Sequence, residues 1–596
     1  MESFIFKNTM LLAQDRTPLF PIHVAPEVLA ASESPALFAA QELRYYLNRM
    51  TAASFVLESG DDSGALFVGF ASGDLAVRLG DDGFRIDATP SGATILGGRR
   101  GVLYGVYALL ESLGCRFFTH DCEKVPFLPS LSLPELHREE TPAFEYREHN
   151  YADVVQNPRF AAKCRFNGSM HKIPERLGGC MRYALFVHTF ERLVPTSRYG
   201  ADHPEYFALE NGKRNITSGG RTQLCLTNPD VLRIATEACR KVLRANPEAR
   251  ILSVSQNDWK THCECDACRR VDEEEGSPSG TLLRFVNAIA EALEPEFPDV
   301  VFDTLAYHYS RPAPKITRNR RNVCVRLCSI ECCFAHPFDG CDDPTRAVHR
   351  PDGTESSFIR DLTDWGRICD RMYIWDYTTN FAHYPMPYPN WRVLQPNVRL
   401  MRANHVRGVF EQACGASRGS TDFNELRLYL ISKLLWDPDC DLGQHRREFM
   451  EHVYGAAAPA LTEYLDLLCD TVARLHEHIG FNDELDHAYL DEAMLDQYDA
   501  LFDRAAEAVR GDALRLWRVE RHRLSLRWVR LKRAAMLRHE LDAEEANRFF
   551  ADWRAFGLSR IDEWANLETT HRALLDNHWR GVAYFEHWTG EGPEFL

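Results

Sequence analysis

The sequence predicts an α/β protein: a central (β/α)8 TIM barrel, a small α/β domain before it and an all-helical domain after it. Three observations point there. Between residues 143 and 437, short apolar runs end abruptly in polar or acidic residues, and helical stretches separate several of them. Before that region short strand patterns alternate with amphipathic helices. Beyond it no strand pattern is convincing and long helical faces take over. The domains are expected at 1–142, 143–437 and 438–596, which suits a chain of 596 residues, too long for one ordinary domain.

In the first segment, Pro35 to Met50 carries Leu43, Leu47 and Met50 on one helical face, with Ser34 and Pro35 as its start. Ala65 to Gly69 is a short apolar strand. Gly83–Thr89 and Ala93–Leu96 form a strand pair across Pro90, Ser91 and Gly92. Val102, Val106, Leu109 and Leu113 repeat at helical spacing, closed by Gly114. Gly97-Gly98-Arg99-Arg100-Gly101 lacks the ending of a phosphate-binding loop and reads as a strand-to-helix turn. The proline-rich stretch 126–142 reads as a linker.

The barrel is expected from eight runs: Phe144–Asn150, Cys164–Gly168, Tyr183–His188, Ile251–Asp258, Val301–Tyr309, Val323–Glu331, Met372–Asp376 and Val406–Glu411. The second and third are the weakest. In the last segment, Leu461, Tyr464, Leu465 and Leu468 mark one helical face, and Leu514, Trp517, Leu524, Trp528 and Leu531 mark another. These aromatic stripes read as core.

Composition narrows the functional classes. A formal net charge of -17 repels nucleic acid, and no Lys/Arg run is dense enough to reverse that. No apolar stretch reaches the roughly twenty residues of a membrane span, and no secretory leader is recognisable, so a cytoplasmic protein without a membrane partner is expected. Eighteen cysteines without a regular framework fit a reducing compartment. A homo-oligomer stays open. Metalloprotease His-Glu-x-x-His and α/β-hydrolase Gly-x-Ser-x-Gly motifs are absent.

In a TIM barrel the chemistry sits where the strands end. Four of the eight runs end in a carboxylate, Asp258, Glu331, Asp376 and Glu411, and these are the candidate catalytic residues. Convergent carboxylates raise one another's pKa, which suits glycosidic bond cleavage: one stays protonated to protonate the leaving oxygen, while another stays ionised to activate water or attack the sugar. The plain alternative is that strands end in wet loops. Neighbouring residues favour a carbohydrate. Trp259, Tyr307, His308, Tyr309, Trp375 and Tyr377 offer ring faces and polar tips. Arg147, His149, His188 and Asn257 are further candidate binding residues. Strand alternation forbids Trp375 and Asp376 both pointing inward unless the strand has already ended. After Asp258 comes His262-Cys263-Glu264-Cys265-Asp266-Ala267-Cys268, where three thiols, with His262 or a more distant fourth ligand, could hold a structural zinc. Metal-free thiols and a disulfide are the alternatives. Catalysis itself requires no cofactor.

The run Ile95 to Tyr107, Ile-Leu-Gly-Gly-Arg-Arg-Gly-Val-Leu-Tyr-Gly-Val-Tyr, continuing to Leu113-Gly114-Cys115-Arg116-Phe117-Phe118, resembles the N-terminal domain of bacterial α-glucuronidases and β-hexosaminidases over residues 20 to 120. The stretches His188-Thr189-Phe190, His203-Pro204-Glu205-Tyr206-Phe207, Ser253-Val254-Ser255-Gln256-Asn257-Asp258 and Trp375-Asp376-Tyr377 resemble the family called domain of unknown function 4838, placed among TIM-barrel glycosidases. The resemblance implies a glycoside hydrolase, exo-acting and hexosaminidase- or glucuronidase-like, with Asp258 at the place of the general acid closing the fourth strand. It leaves Glu331, Asp376 and Glu411 as candidates for base or nucleophile. Hexosaminidases of that clan carry two adjacent carboxylates where this chain has Asn257-Asp258. A carbohydrate-binding protein without activity, or a lyase or isomerase acting on a sugar acid, are the other readings.

Overall fold

The structure, a computed structural model, describes residues 9–350, 352–415, 417, 421–538 and 540–576. The chain forms two compact units. One comprises Met1–Arg147, Asp153–Cys180 and Glu425–Val453, the other Glu148–Ala152, Met181–Asn424 and Tyr454–Leu596.

The first unit is a six-stranded sheet in the spatial order Leu136–Glu140, Phe84–Thr89, Gly92–Gly97, Leu66–Phe70, Ile22–Val24, Leu57–Ser59. Helices Pro35–Thr51 and Gly101–Ser112 bury their apolar faces, including Leu43, Leu47, Val102 and Val106. The glycine-rich turn between strand and helix is forced by close approach: a Cβ on Gly98 would lie 1.8 Å from the Gly80 carbonyl oxygen, and one on Gly101 1.9 Å from that of Gly83. Two expectations are corrected in this unit. The stretch 126–142 is not a plain linker, because Leu131–Pro134 pairs with Thr9–Gln14 and Leu136–Glu140 pairs with Phe84–Thr89. Both are edge strands, where proline is tolerated, so its prolines obscured the alternation of buried Leu131 and Leu133. The run Cys164–Gly168 is not a strand. It closes helix Pro158–Lys163, with Arg165 left-handed (φ 59°), the Phe166 N–H donating to Ala161 and the Arg165 N–H to Ala162. That is a Schellman ending with arginine in the place usually held by glycine.

The second unit holds a curled sheet with β1 (Tyr146–His149, shared with the first unit), β2 (Ile251–Ser253), β3 (Val301–Ala306), β4 (Val323–Cys328), β5 (Met372–Tyr377) and β6 (Val406–Gln412). Its order is β1-β6-β5-β4-β3-β2, and β2 through β6 pair in parallel. The run Tyr183–His188 contributes one parallel bridge, Tyr183 to Ile251. Six of the eight expected strands are thus present among the described residues. β4 and β5 are buried at every position, as strands covered on both faces must be.

One face of this sheet is concave. Arg326 on β4 is fully buried, its Nε 3.3 Å from Asp303 Oδ2 on β3, and it hydrogen-bonds the Tyr183 hydroxyl beside β2, two strands away. The rings of Tyr183, Phe186, Tyr373 and Trp375 surround its guanidinium at 5.6–5.9 Å. Arg326→Met would strand the Asp303 charge in this interior. A loss of about 3–5 kcal/mol is expected, read as a lower thermal midpoint that Asp303→Asn in the same chain partly restores. An unchanged midpoint in the single variant would refute this account.

From residue 424 onward the described residues form helices and no strand. Helix Ala458–Leu475 buries Leu461, Tyr464, Leu465 and Leu468. Helix Ala513–Arg533 buries Leu524, Trp528 and Leu531 but leaves Leu514 and Trp517 exposed, so the expected core stripe covers only its second half.

Candidate active site

The loops after β2, β3 and β4 meet in one hydrogen-bonded cluster. Asp258, half-exposed, lies five residues beyond β2. The Tyr307 hydroxyl, just past β3, donates to its Oδ1 at 2.9 Å. Burial, then the charge of Asp258, pushes the Tyr307 phenol well up, so it remains a donor. The His308 ring lies 3.8 Å from that of Tyr307, and its Nδ1 is 2.8 Å from Glu331 Oε1. Arg311 donates to Glu331 Oε2 at 3.1 Å and is itself anchored by Asp361 at 2.8 Å and the Ser356 carbonyl at 2.6 Å. Burial alone would raise the Glu331 pKa, but His308 and Arg311 together hold it below the usual carboxylate value. Glu331 is therefore kept ionised. Cys328 and Tyr377 lie close enough to feel both Asp258 and Glu331, and their pKa values rise with burial and these charges.

The backbone that builds this cluster is unusual at two histidines. His188 and His308 are left-handed, with φ of 58° and 50°, a conformation costly for a residue with a Cβ and enriched at functional loops. His188 is fixed by Nδ1 against the Gln256 carbonyl at 2.9 Å, and its ring lies 6.0 Å from Tyr307. Gln256 in turn donates to Ser310 Oγ at 2.7 Å, stitching the β2 loop to the β3 loop.

The remaining expected binding residues have structural partners. Asn257 is buried, its side chain accepting from the Glu191 N–H and donating to the Thr222 carbonyl, so its amide is occupied. Trp259 is half-exposed, next to that turn. Tyr309 stacks on His262 at 5.0 Å. Trp375 lies on the concave face, with Nε1 donating to Gln412 at 2.8 Å. Tyr377 packs against Phe334, Phe381 and Phe481. His149 is buried and stacked on Tyr151 at 4.4 Å. Arg147 belongs to the first unit, where its buried guanidinium donates to the Phe144 and Arg165 carbonyls and sits 3.5 Å from Asp82.

Asp376 and Glu411 form a separate pair. They are register partners on β5 and β6, one step along from Trp375 and Phe410. Alternation therefore puts them on the face opposite those rings. Burial raises Asp376 to about 6, although Ser329 donates to it. Burial, then the charge of Asp376, raises Glu411 well above its ordinary value. Glu411 Oε2 is buried without a hydrogen-bond partner among the described residues. Asp376 still acts on neighbours it shares with the other carboxylates: after burial, with Glu331 it raises the Cys332 thiol, and with Glu331 and Asp258 the Tyr377 phenol.

The family described as Domain of unknown function (DUF4838) matches residues 117–466. The chain belongs to this family. No curated protein matches the DUF4838 chain in sequence. It is similar to solved glycosidase structures. A mutant Streptomyces plicatus β-hexosaminidase in complex with product GlcNAc is 14% identical, with 74% of this chain and 92% of that chain covered, at a TM-score of 0.40. The β-N-acetylhexosaminidase of Bacteroides fragilis is 11% identical, with 74% and 92% covered, at 0.40. A Clostridium perfringens family 89 enzyme in complex with GlcNAc-α-1,4-galactose is 10% identical, with 92% and 71% covered, at 0.45. No helix among the described residues of the DUF4838 chain is long and apolar enough to cross a membrane.

Two features of this DUF4838 protein escaped sequence reasoning. Arg311 is the cation that holds Glu331; its only signal was its place three residues after His308. The other is the fourth member of the cysteine cluster. Cys263, Cys265 and Cys268 are joined by Cys225, all four Sγ atoms lying within 4.8 Å of one another. Cys225 Sγ is 3.7 Å from Cys265 Sγ and 4.0 Å from Cys268 Sγ. His262 stands aside, stacked on Tyr309 and 3.7 Å from Asp272. The Leu209 N–H donates to Cys263 Sγ at 3.4 Å, and Arg214 lies 3.6 Å from it.

Proposed function

We propose that this DUF4838 protein is a glycoside hydrolase in which Asp258 and Glu331 are the working carboxylates. The observation that carries the reading is the half-buried cluster at the sheet's C-terminal ends, with one carboxylate committed to its charged form beside a second that is bound, among the described residues, only by a phenol. Glu331, held ionised, activates water or attacks the anomeric carbon. The proton for the leaving oxygen then falls to Asp258, whose Oδ2 makes no hydrogen bond among the described residues. Asp376 and Glu411, buried and both raised above the usual carboxylate range, play a structural part. The exo-acting, hexosaminidase- or glucuronidase-like mode belongs to this proposal and rests on the family resemblance.

The test is a screen of aryl glycosides and of glycans by reducing-sugar release, with the Asp258→Asn/Glu331→Gln double variant as background. Turnover by the native chain alone supports hydrolysis. Binding of a glycan without turnover favours a carbohydrate-binding role instead. Tyr307→Phe removes the hydrogen bond that orients the Asp258 carboxyl, worth about 0.5–1.5 kcal/mol between neutral groups. A fall in kcat/KM of about twofold to tenfold is expected. Native kinetics in this variant would remove Tyr307 from the machinery.

The four-cysteine cluster is proposed as a structural zinc site with all-thiolate ligation, Cys225 rather than His262 being the fourth ligand. Four convergent thiols with an N–H and a guanidinium aimed at one sulfur suit a thiolate-bound, tetrahedral ion.

A further inference from the structure

The loop after β4 runs past Glu331 through Cys332-Cys333-Phe334-Ala335-His336 and reaches Cys341. There a second group of donors converges. The thiols of Cys333 and Cys341 and one ring nitrogen each of His336 and His478 lie within 4.8 Å of one another. Cys333 Sγ is 3.3 Å from His336 Nδ1, and Cys341 Sγ is 3.5 Å from His478 Nδ1. Zinc–sulfur bonds of about 2.3 Å and zinc–nitrogen bonds of about 2.0 Å in a tetrahedron put such atoms about 3.5 Å apart.

We propose that Cys333, His336, Cys341 and His478 bind a structural zinc ion, distinct from the four-cysteine cluster. Two surroundings support a metal over a chance meeting of side chains. The N–H groups of Ala335 and Ile479 both donate to Cys333 Sγ at 3.4 Å, which stabilises a thiolate. The other nitrogen of His478, Nε2, lies 3.4 Å from Asp342 Oδ1, a carboxylate shared with His476 at 3.2 Å. A ligand histidine commonly presents its far nitrogen to such a carboxylate, which fixes the tautomer and strengthens the donor. A disulfide between Cys333 and Cys341 would use only the two sulfurs and leave both imidazoles facing it without purpose. Two sulfurs and two imidazoles are a donor set that favours zinc among the divalent ions.

The ion would clamp the loop that carries Glu331, two residues before Cys333, to the segment around Ile479. A backbone bond from Phe334 to the Ile479 carbonyl at 2.8 Å already joins these stretches. The site does not depend on the reaction the protein catalyses.

The experiment is zinc quantification on the full chain, purified without metal affinity and dialysed against metal-free buffer, combined with X-ray absorption at the zinc edge. With both sites filled, two zinc ions per chain and a mean of about three sulfurs and one nitrogen per ion are expected. If the four-cysteine cluster is empty, one ion with about two sulfurs and two nitrogens still supports the proposal. His478→Ala should lose one equivalent, whereas Cys225→Ser should spare the nitrogen-containing shell. His478→Cys, which keeps a ligand, should retain the ion and guards against a folding failure in the alanine variant. A native protein whose zinc is bound by sulfur alone, or contains none, would overturn the proposal. So would a Cys333–Cys341 disulfide found by non-reducing peptide mass analysis.

Discussion

Glu331→Gln is expected to lower kcat on an aryl glycoside by about 10³-fold or more, the upper part of the range for loss of an essential base or nucleophile. The substitution keeps shape and removes charge. Arg311 retains Asp361 and the Ser356 carbonyl, so the variant should keep its fold and its substrate affinity. Asp258→Asn should behave differently. A proton donor matters least when the leaving group is already a good one. Its loss should therefore be small on a nitrophenyl glycoside and grow to about 10²–10⁴-fold on an alkyl or sugar leaving group, while the Glu331→Gln loss stays similar across both. The pH profile adds an independent readout. Because His308 and Arg311 hold Glu331 below the usual carboxylate value, the acid limb of kcat/KM should fall below pH 4.5. Releasing that hold with His308→Ala should move the limb upward. Native turnover in Glu331→Gln, or an identical leaving-group dependence in the two variants, would end the assignment.

The strands that sequence patterning exposes most clearly are those rich in branched apolar residues: Ile251–Ser253, Val301–Ala306, Val323–Cys328 and Val406–Gln412 lie inside the expected runs or one residue past them. Local chemistry misleads where an unusual residue does a common job. Arg165 takes the left-handed turn that glycine would have advertised, so a helix end passes for a strand. Prolines near residue 134 hide two edge strands. For the candidate site, alternation was the decisive physical rule. It already set Trp375 against Asp376, and the register carries the same opposition to Phe410 and Glu411. What no spacing rule could reach is proximity created by topology. Cys225 joins Cys263 from 38 residues upstream, and His478 meets Cys341 across 137 residues. The cysteine-rich motif announced a cluster, but its fourth member is supplied by the fold.

The buried pair Asp376 and Glu411 should make stability fall as pH rises through the weakly acidic range. Both are carboxyls whose folded pKa is raised, so the native state holds protons that the unfolded chain has released. Stability from such groups is full below their unfolded values, near 3.8 for Asp376 and 4.5 for Glu411, and is lost as pH climbs toward the folded values. Each pKa unit corresponds to about 1.4 kcal/mol. For Asp376, raised to about 6, the loss is about 3 kcal/mol, spread between roughly pH 4 and pH 6. Glu411 extends the decline to higher pH, because ionising it means placing a second charge beside the first in a site where its Oε2 has no donor among the described residues. Glu411→Gln keeps a hydrogen-bonding amide and deletes that charge. Its thermal midpoint, at a fixed scan rate, should match that of the native chain at pH 5 and exceed it at pH 8. Asp376→Asn should flatten the same slope from the other side, and the two effects should not add, since either substitution relieves the repulsion between them. The reverse sign, a native chain that gains stability from pH 5 to pH 8 and loses that gain in Glu411→Gln, would mean the pair is ionised and held by partners, and would reopen both residues to the catalytic role assigned to Asp258 and Glu331.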